Sequence, residues 1–195
     1  FDDILTGNTG NNVLTGGDTL RIKGNLFRNN VEDFIDLDDL TSSPSCTFSS
    51  CYGYVNIANA RLQGAELEGV YDAGRWFTQL SYTHITGTDV DTGARLASVA
   101  PDNLQAVLGA RFFDQRFTIG GRYQYFWGAD QNPSTGSAQD PYGLVGLFAS
   151  YEPNDYVTAS LVVDNLLDTQ YTRYLENLAS PGLSVKGSLK VRWGH

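Results

Sequence analysis

Leu183-Ser184-Val185-Lys186-Gly187-Ser188-Leu189-Lys190-Val191-Arg192-Trp193 alternates without a fault. Leu183, Val185, Gly187, Leu189, Val191 and Trp193 fall on one side; Ser184, Lys186, Ser188, Lys190 and Arg192 fall on the other. A period of two is the signature of an extended strand with one apolar and one wet face. Soluble sandwiches and transmembrane barrels both use such strands, so the rest of the chain decides between them.

Composition narrows the choice. The 195 residues include Gly 21, Tyr 11, Phe 10 and Trp 3 with only 18% charged residues, which suits an aromatic-rich, all-β chain. No run of about 18 apolar residues occurs, so no helix is predicted to span a membrane. The mean hydropathy of -0.26 does not exclude spanning strands, whose apolar and polar residues cancel in any average. A formal net charge of -9 leaves no basic surface for phosphate and argues against nucleic acid as a partner. The chain has Met 0 and no signal peptide, which predicts a fragment or a processed piece.

Strand-like runs recur between turn signals. Leu20–Leu26 and Val31–Leu37 flank Asn29-Asn30, and Tyr54–Tyr71 leads through Asp72-Ala73-Gly74-Arg75 to Trp76–His84. Leu104–Phe113 and Arg116–Trp127 flank Asp114-Gln115, and Tyr142–Tyr151 and Tyr156–Val163 flank Glu152-Pro153-Asn154-Asp155. The connections alternate strictly in length. They are short at 29–30, 72–75, 114–115 and 152–155, and long at 38–53, 87–102, 128–141 and 164–182. A transmembrane barrel has short periplasmic turns and long extracellular loops, whereas a sandwich has no reason to put all its long loops at one end. Trp193 then falls at the periplasmic rim. About nine strands are predicted; because single-chain barrels of this kind close on an even number, the chain reads as part of a larger antiparallel transmembrane β-barrel.

Several segments resemble the C-terminal half of TonB-dependent outer-membrane receptors, the 22-stranded barrels that import iron complexes and vitamin B12. Asn59-Ala60-Arg61-Leu62-Gln63-Gly64-Ala65-Glu66-Leu67-Glu68 is similar to the family's N-x-x-x-x-G-x-E-x-E strand. Ala100-Pro101-Asp102-Asn103 resembles its A-P-x-x turn. Val163-Asp164-Asn165-Leu166-Leu167-Asp168-Thr169-Gln170-Tyr171 resembles its V-x-N-L-x-D-x-x-Y signature. Ser180-Pro181-Gly182 matches its P-G-R-x approach to the last strand, with Leu183 in place of Arg. The resemblance implies an outer-membrane location, lipid around the barrel, and coupling to the TonB energy complex through a plug domain that this chain does not contain. Residues 20–195 are assigned to the barrel. Gly194-His195 after Trp193 departs from the family, which usually ends on the aromatic.

Tyr171-Thr172-Arg173-Tyr174-Leu175, with the paired loop cysteines, is similar to the haem and haemoglobin branch, so haem or a haem protein is the expected ligand, with an iron-siderophore the other possibility. That branch's F-R-A-P and N-P-[ND]-L boxes are not in the sequence. His84 stands at a strand end where the family often has Tyr, and is either an interfacial ring or a haem contact. His195 would lie on the periplasmic side.

Cys46 and Cys51 predict a disulfide in an oxidising compartment, with free thiols the alternative; no second Cys or His pair lies near enough for zinc. The bridge would hold Phe48 on a constrained tip, where it contacts a ligand or partner or packs on neighbouring loops. Glu66 and Glu68 would line the lumen or meet Arg61 and Arg111. Asp36, Asp38, Asp39, Asp89 and Asp91 would sit outside, bridged by divalent ions or simply solvated. No catalytic constellation is evident, and no enzyme activity is expected.

Residues 1–19 stand apart. Asp3-Ile4-Leu5-Thr6-Gly7 recurs as Asn12-Val13-Leu14-Thr15-Gly16, which resembles the RTX nonapeptide of calcium-binding β-rolls. Calcium would be held through Asp3, Asn8 and Asn12. A flexible polar extension, or a junction with an unrelated coding segment, is the other reading, since fewer than three repeats cannot stack a core. The repeat also motivates an alternative function for the chain, a secreted RTX-type calcium-binding module.

Overall fold

The computed structural model describes residues 12–16, 19–48, 51–132 and 137–193. Among the described residues eleven strands follow one another: β1 (Asn12–Gly16), β2 (Leu20–Asp39), β3 (Tyr52–Asp72), β4 (Trp76–Asp89), β5 (Asn103–Phe112), β6 (Phe117–Phe126), β7 (Ala129–Asn132), β8 (Ser137–Gln139), β9 (Tyr142–Asn154), β10 (Val157–Asp164) and β11 (Ser184–Val191). All but β7 and β8 form one 9-stranded antiparallel meander in chain order, and β7 and β8 make a small hairpin inside the long β6–β9 connection. The result is a partial barrel.

The expected turn at Asn29-Asn30 does not form. Both residues continue the ladder, Asn29 opposite Leu62 and Asn30 opposite Arg61, and Arg61 Nε donates to Asn30 Oδ1 at 3.1 Å. β3 is long enough to pair the whole of β2, so the ladder outweighs a local turn preference. The strand number is made up instead by β1, which lies within residues 1–19 and pairs from Asn12 opposite Gly24 to Gly16 opposite Leu20. The alternation of loop length survives, because only three residues separate β1 from β2 in the chain.

The two faces of the sheet differ in chemistry. Register places Leu67, Leu80, Leu108, Ile119, Leu147, Leu161 and Leu189 on one continuous face. Gln79, Gln105, Arg122, Gln124, Ser150, Ser160 and Lys186 lie on the other. The apolar face is the one a barrel turns to lipid, and the polar face lines the lumen. Aromatic residues mark the short-turn end of the outer face, with Trp76 over half exposed and Phe112, Phe117 and Tyr151 in successive ring contacts. Tyr82, Tyr125 and Trp127 mark its other end, with centroids 5.8 Å and 4.8 Å from Trp127.

β2 and β3 have 20 and 21 residues, about twice the ~10 that a tilted strand needs to cross the bilayer. Their upper halves therefore stand outside it. Val31 and Phe34 are three apart yet both pack on the same cluster, because Asp33 takes a left-handed backbone (φ 53°) that reverses the alternation.

On the lumenal face Gly109 and Gly120 lie directly opposite one another. Phe77 from β4 covers the first and Phe148 from β9 covers the second, with ring centroids 6.5 Å apart. A side chain at Gly120 would meet both the Phe148 ring and the Leu108 carbonyl. Rings laid over strand glycines restore packing that the missing side chains give up. Gly120→Val is therefore expected to cost about 1–3 kcal/mol by overpacking. In the full-length protein this should lower the temperature at which the folded band is lost in seminative electrophoresis; an unchanged transition would contradict the tight fit.

Candidate functional site

The long-loop end of the polar face is where the chain gathers its buried polar groups. The β4–β5 loop, residues 90–102, folds onto that face. Leu96 and Val99 are buried over Gly87 and form a small core with Ala60, to which Val31, Phe34, Ile57, Leu62 and Ile85 add. Asp36 is only 4% exposed and accepts the backbone amides of Ala97 (2.7 Å) and Ser98 (2.8 Å). Asp89 accepts the Asp91 amide at 2.9 Å and the Thr92 hydroxyl at 2.6 Å, and Asp91 accepts Asn59 Nδ2 at 3.0 Å. These carboxylates are thus clamps on a loop, which corrects their reading as solvated or ion-bridging loop charge. A cavity of about 560 Å³ lies beside them, bordered by Asp36, Asp89, Arg95 and Tyr174.

The last loop, residues 165–183, is built by the signature that begins at Val163. Asn165, left-handed (φ 50°) and 6% exposed, exchanges two hydrogen bonds of 2.9 Å with the backbone of Thr169. Asp168 Oδ1 accepts the Leu183 amide at 2.8 Å, and Gly182 leaves room for that carboxylate. Tyr174 reaches from this loop to the other, donating its hydroxyl to the Ala97 carbonyl at 2.7 Å, and burial pushes its phenol up from the ordinary range. Phe126, Tyr142 and Tyr171 stack in sequence, with centroids 4.9 Å and 4.6 Å apart.

Below the stack lies a charge network that the sequence reading did not pick out. Arg122 on β6 reaches over Gly146 to Asp164 on β10, and Lys186 on β11 donates to the other oxygen of Asp164 at 2.9 Å. The signal was present, since these residues occupy wet positions on nearby strands of one sheet, but only register brings them together.

Other expectations fall differently. His84 lies on the apolar face beside Tyr82, with Nδ1 2.8 Å from both oxygens of Asp102, which also accepts the Tyr82 hydroxyl at 2.7 Å. Its face is turned away from the lumen, so a haem contact gives way to an interfacial polar cluster that uses the A-P-x-x turn. Glu66 accepts Asn25 Nδ2 at 3.0 Å and Glu68 lies 3.7 Å from Lys23, whereas Arg111 pairs with Asp72 and Arg61 with Asn30; the expected meetings with Arg61 and Arg111 do not occur. Cys46 and Cys51 are joined by a disulfide with Cα atoms 5.8 Å apart, and Phe48 between them is 80% exposed. Asp3, Asn8 and His195 lie outside the described residues; Asn12 begins β1. Among the described residues no cluster of three or more His, Cys, Asp or Glu could hold a metal.

A partial barrel with an apolar outer face and a polar inner one, its long loops gathered at one end, defines a transmembrane barrel wall. Residues 9–166 match the family model described as TonB dependent receptor-like, beta-barrel, and the chain belongs to that family of outer-membrane proteins. It is 29% identical over 161 residues to TonB-dependent heme receptor A of Haemophilus ducreyi, covering 72% of this chain and 22% of that protein. It is 29% identical over 187 residues to heme/hemopexin utilization protein C of Haemophilus influenzae, covering 87% of this chain and 26% of that protein. The chain thus spans about a quarter of the length of these curated relatives. Among solved structures it resembles the copper transporter OprC, with a TM-score of 0.78 at 21% identity, over 93% of this chain and 30% of that one.

The clamp on the inward loop is testable. Asp36→Ala removes the acceptors of two part-buried amide hydrogen bonds, at about 1.5–3 kcal/mol for a hydrogen bond to a charged group. In whole cells it should expose residues 90–102 to added protease while the barrel still resists heat in detergent. Protection equal to that of the unaltered receptor would contradict the clamp.

Proposed function

We propose that this chain is the C-terminal part of the wall and mouth of an outer-membrane receptor that imports an iron compound, haem, with energy from the TonB complex. The carrying observation is that the loops at residues 90–102 and 165–183 pack onto the polar face and are tied to each other through Tyr174 and Ala97. Loops fixed over a lumen form an entrance; loops splayed into solvent would not. The haem assignment draws on the two Haemophilus relatives, whose names specify heme. Ligand would be captured at this entrance and pass along the polar face once a plug, which belongs to the part of the receptor outside this chain, is moved by the energy-coupling complex. The loop groups hold and orient ligand, and no bond-making role is assigned to any of them.

The RTX-type calcium-binding module is not the favoured alternative: Asn12–Gly16 adds a strand to the meander, and the family match starts at residue 9.

Deleting the gene in a host unable to make its own siderophores should abolish growth on haem as sole iron source and leave growth on ferrous salt intact. Loss of TonB should give the same phenotype. Undiminished growth on haem, in a strain with no other haem receptor, would overturn the proposal.

A further inference from the structure

Two cavities on the polar face adjoin at the long-loop end. One, about 320 Å³, is walled by the Phe126–Tyr142–Tyr171 stack; the other, about 360 Å³, holds Arg122, Asp164 and Lys186. Gln124, Leu144, Tyr171 and Arg173 border both. Each volume lies in the range of small-molecule pockets. One half offers flat aromatic surface and the other offers charge, and they share a wall.

Cations gather here. Arg122, Lys186 and Arg173 all line the second cavity; Asp164 ties the first two, and Arg173 has only a loose pairing with Glu176, at 3.9 Å. Three cations at one site stand out in a chain whose formal net charge is -9. Arg122 bonds Asp164 across Gly146, whereas the Lys186 and Arg173 side chains are 68% and 61% exposed and so open to an incoming anion. Asp164 keeps a cation partner if Lys186 leaves it.

We infer that the two cavities form one subsite for a flat aromatic compound carrying carboxylates. Its ring system lies against the tyrosine stack and its carboxylates engage Lys186 and Arg173, while Arg122 and Asp164 hold the floor. Ring stacking supplies sequence-independent contact area, and charge-assisted hydrogen bonds select the acid over a neutral analogue. This inference rests on the proposed haem-import role, and it names the wall residues that read the carboxylates.

The test uses the purified full-length receptor with iron protoporphyrin IX and with its dimethyl ester, which keeps the ring and removes the charges. The unaltered receptor should bind the acid about tenfold more tightly than the ester, the scale of one charge-assisted contact. Lys186→Gln combined with Arg173→Gln should erase that preference and leave ester binding as it was. Asp164→Asn should strengthen binding of the acid, the opposite of what loss of a purely structural ion pair would do. Equal affinity of the unaltered receptor for acid and ester, or equal losses for both in the double variant, would overturn the subsite. Binding of neither compound by the unaltered receptor would instead remove the haem reading, and the subsite with it.

Discussion

Everything in this molecule depends on the need to pair every backbone amide inside a sheet whose outer face meets hydrocarbon. Lipid offers no hydrogen bonds, so each strand must find its partners next door, and side chains must alternate between lipid and lumen without slipping by one residue. The register keeps that alternation from β3 to β11: Leu67, Leu80, Leu108, Ile119, Leu147, Leu161 and Leu189 hold one face although they come from seven strands. The polar face is then free to carry charge and amide groups at small desolvation cost because it faces water.

Glycine serves this arrangement at two heights. Near the short-turn end Gly109 and Gly120 open space for Phe77 and Phe148 on the lumenal side. Higher up, Gly87 admits Leu96 and Val99 from the loop, and Gly146 lets Arg122 cross to Asp164. The entrance thus consists of loop residues seated in gaps of the wall, pinned by carboxylates that accept backbone amides. Burial of Asp36 is tolerable because two amides replace its lost water, the condition under which a buried charge stabilises a loop.

Strand faces and loop alternation were legible in the sequence because period-two patterning reports burial on each face directly. Tyr171 and the Asn165–Asp168 turn were legible through the resemblance to the family signature, and the Cys46–Cys51 loop through the close spacing of its cysteines. Asn29-Asn30 misled because its turn preference is local, whereas pairing with Leu62 and Arg61 depends on the length of a strand thirty residues away in the chain. The roles of Asp36, Asp164 and His84 were hidden for a similar reason. Each is set by a partner from another strand or loop, at sequence separations of 61, 22 and 18 residues, and one-dimensional spacing carries no trace of it.

Site-directed spin labelling of the full-length receptor in lipid bilayers tests the two-faced wall most directly. Nitroxides placed in turn at Leu147, Phe148, Ala149 and Ser150, and at Leu161, Val162 and Val163, report collisions with oxygen, which partitions into lipid, and with a water-soluble nickel chelate. Oxygen accessibility should peak at Leu147, Ala149, Leu161 and Val163 and fall at Phe148, Ser150 and Val162. Uniform accessibility along these strands, or maxima at Phe148, Ser150 and Val162, would contradict a wall with its leucine face in the membrane.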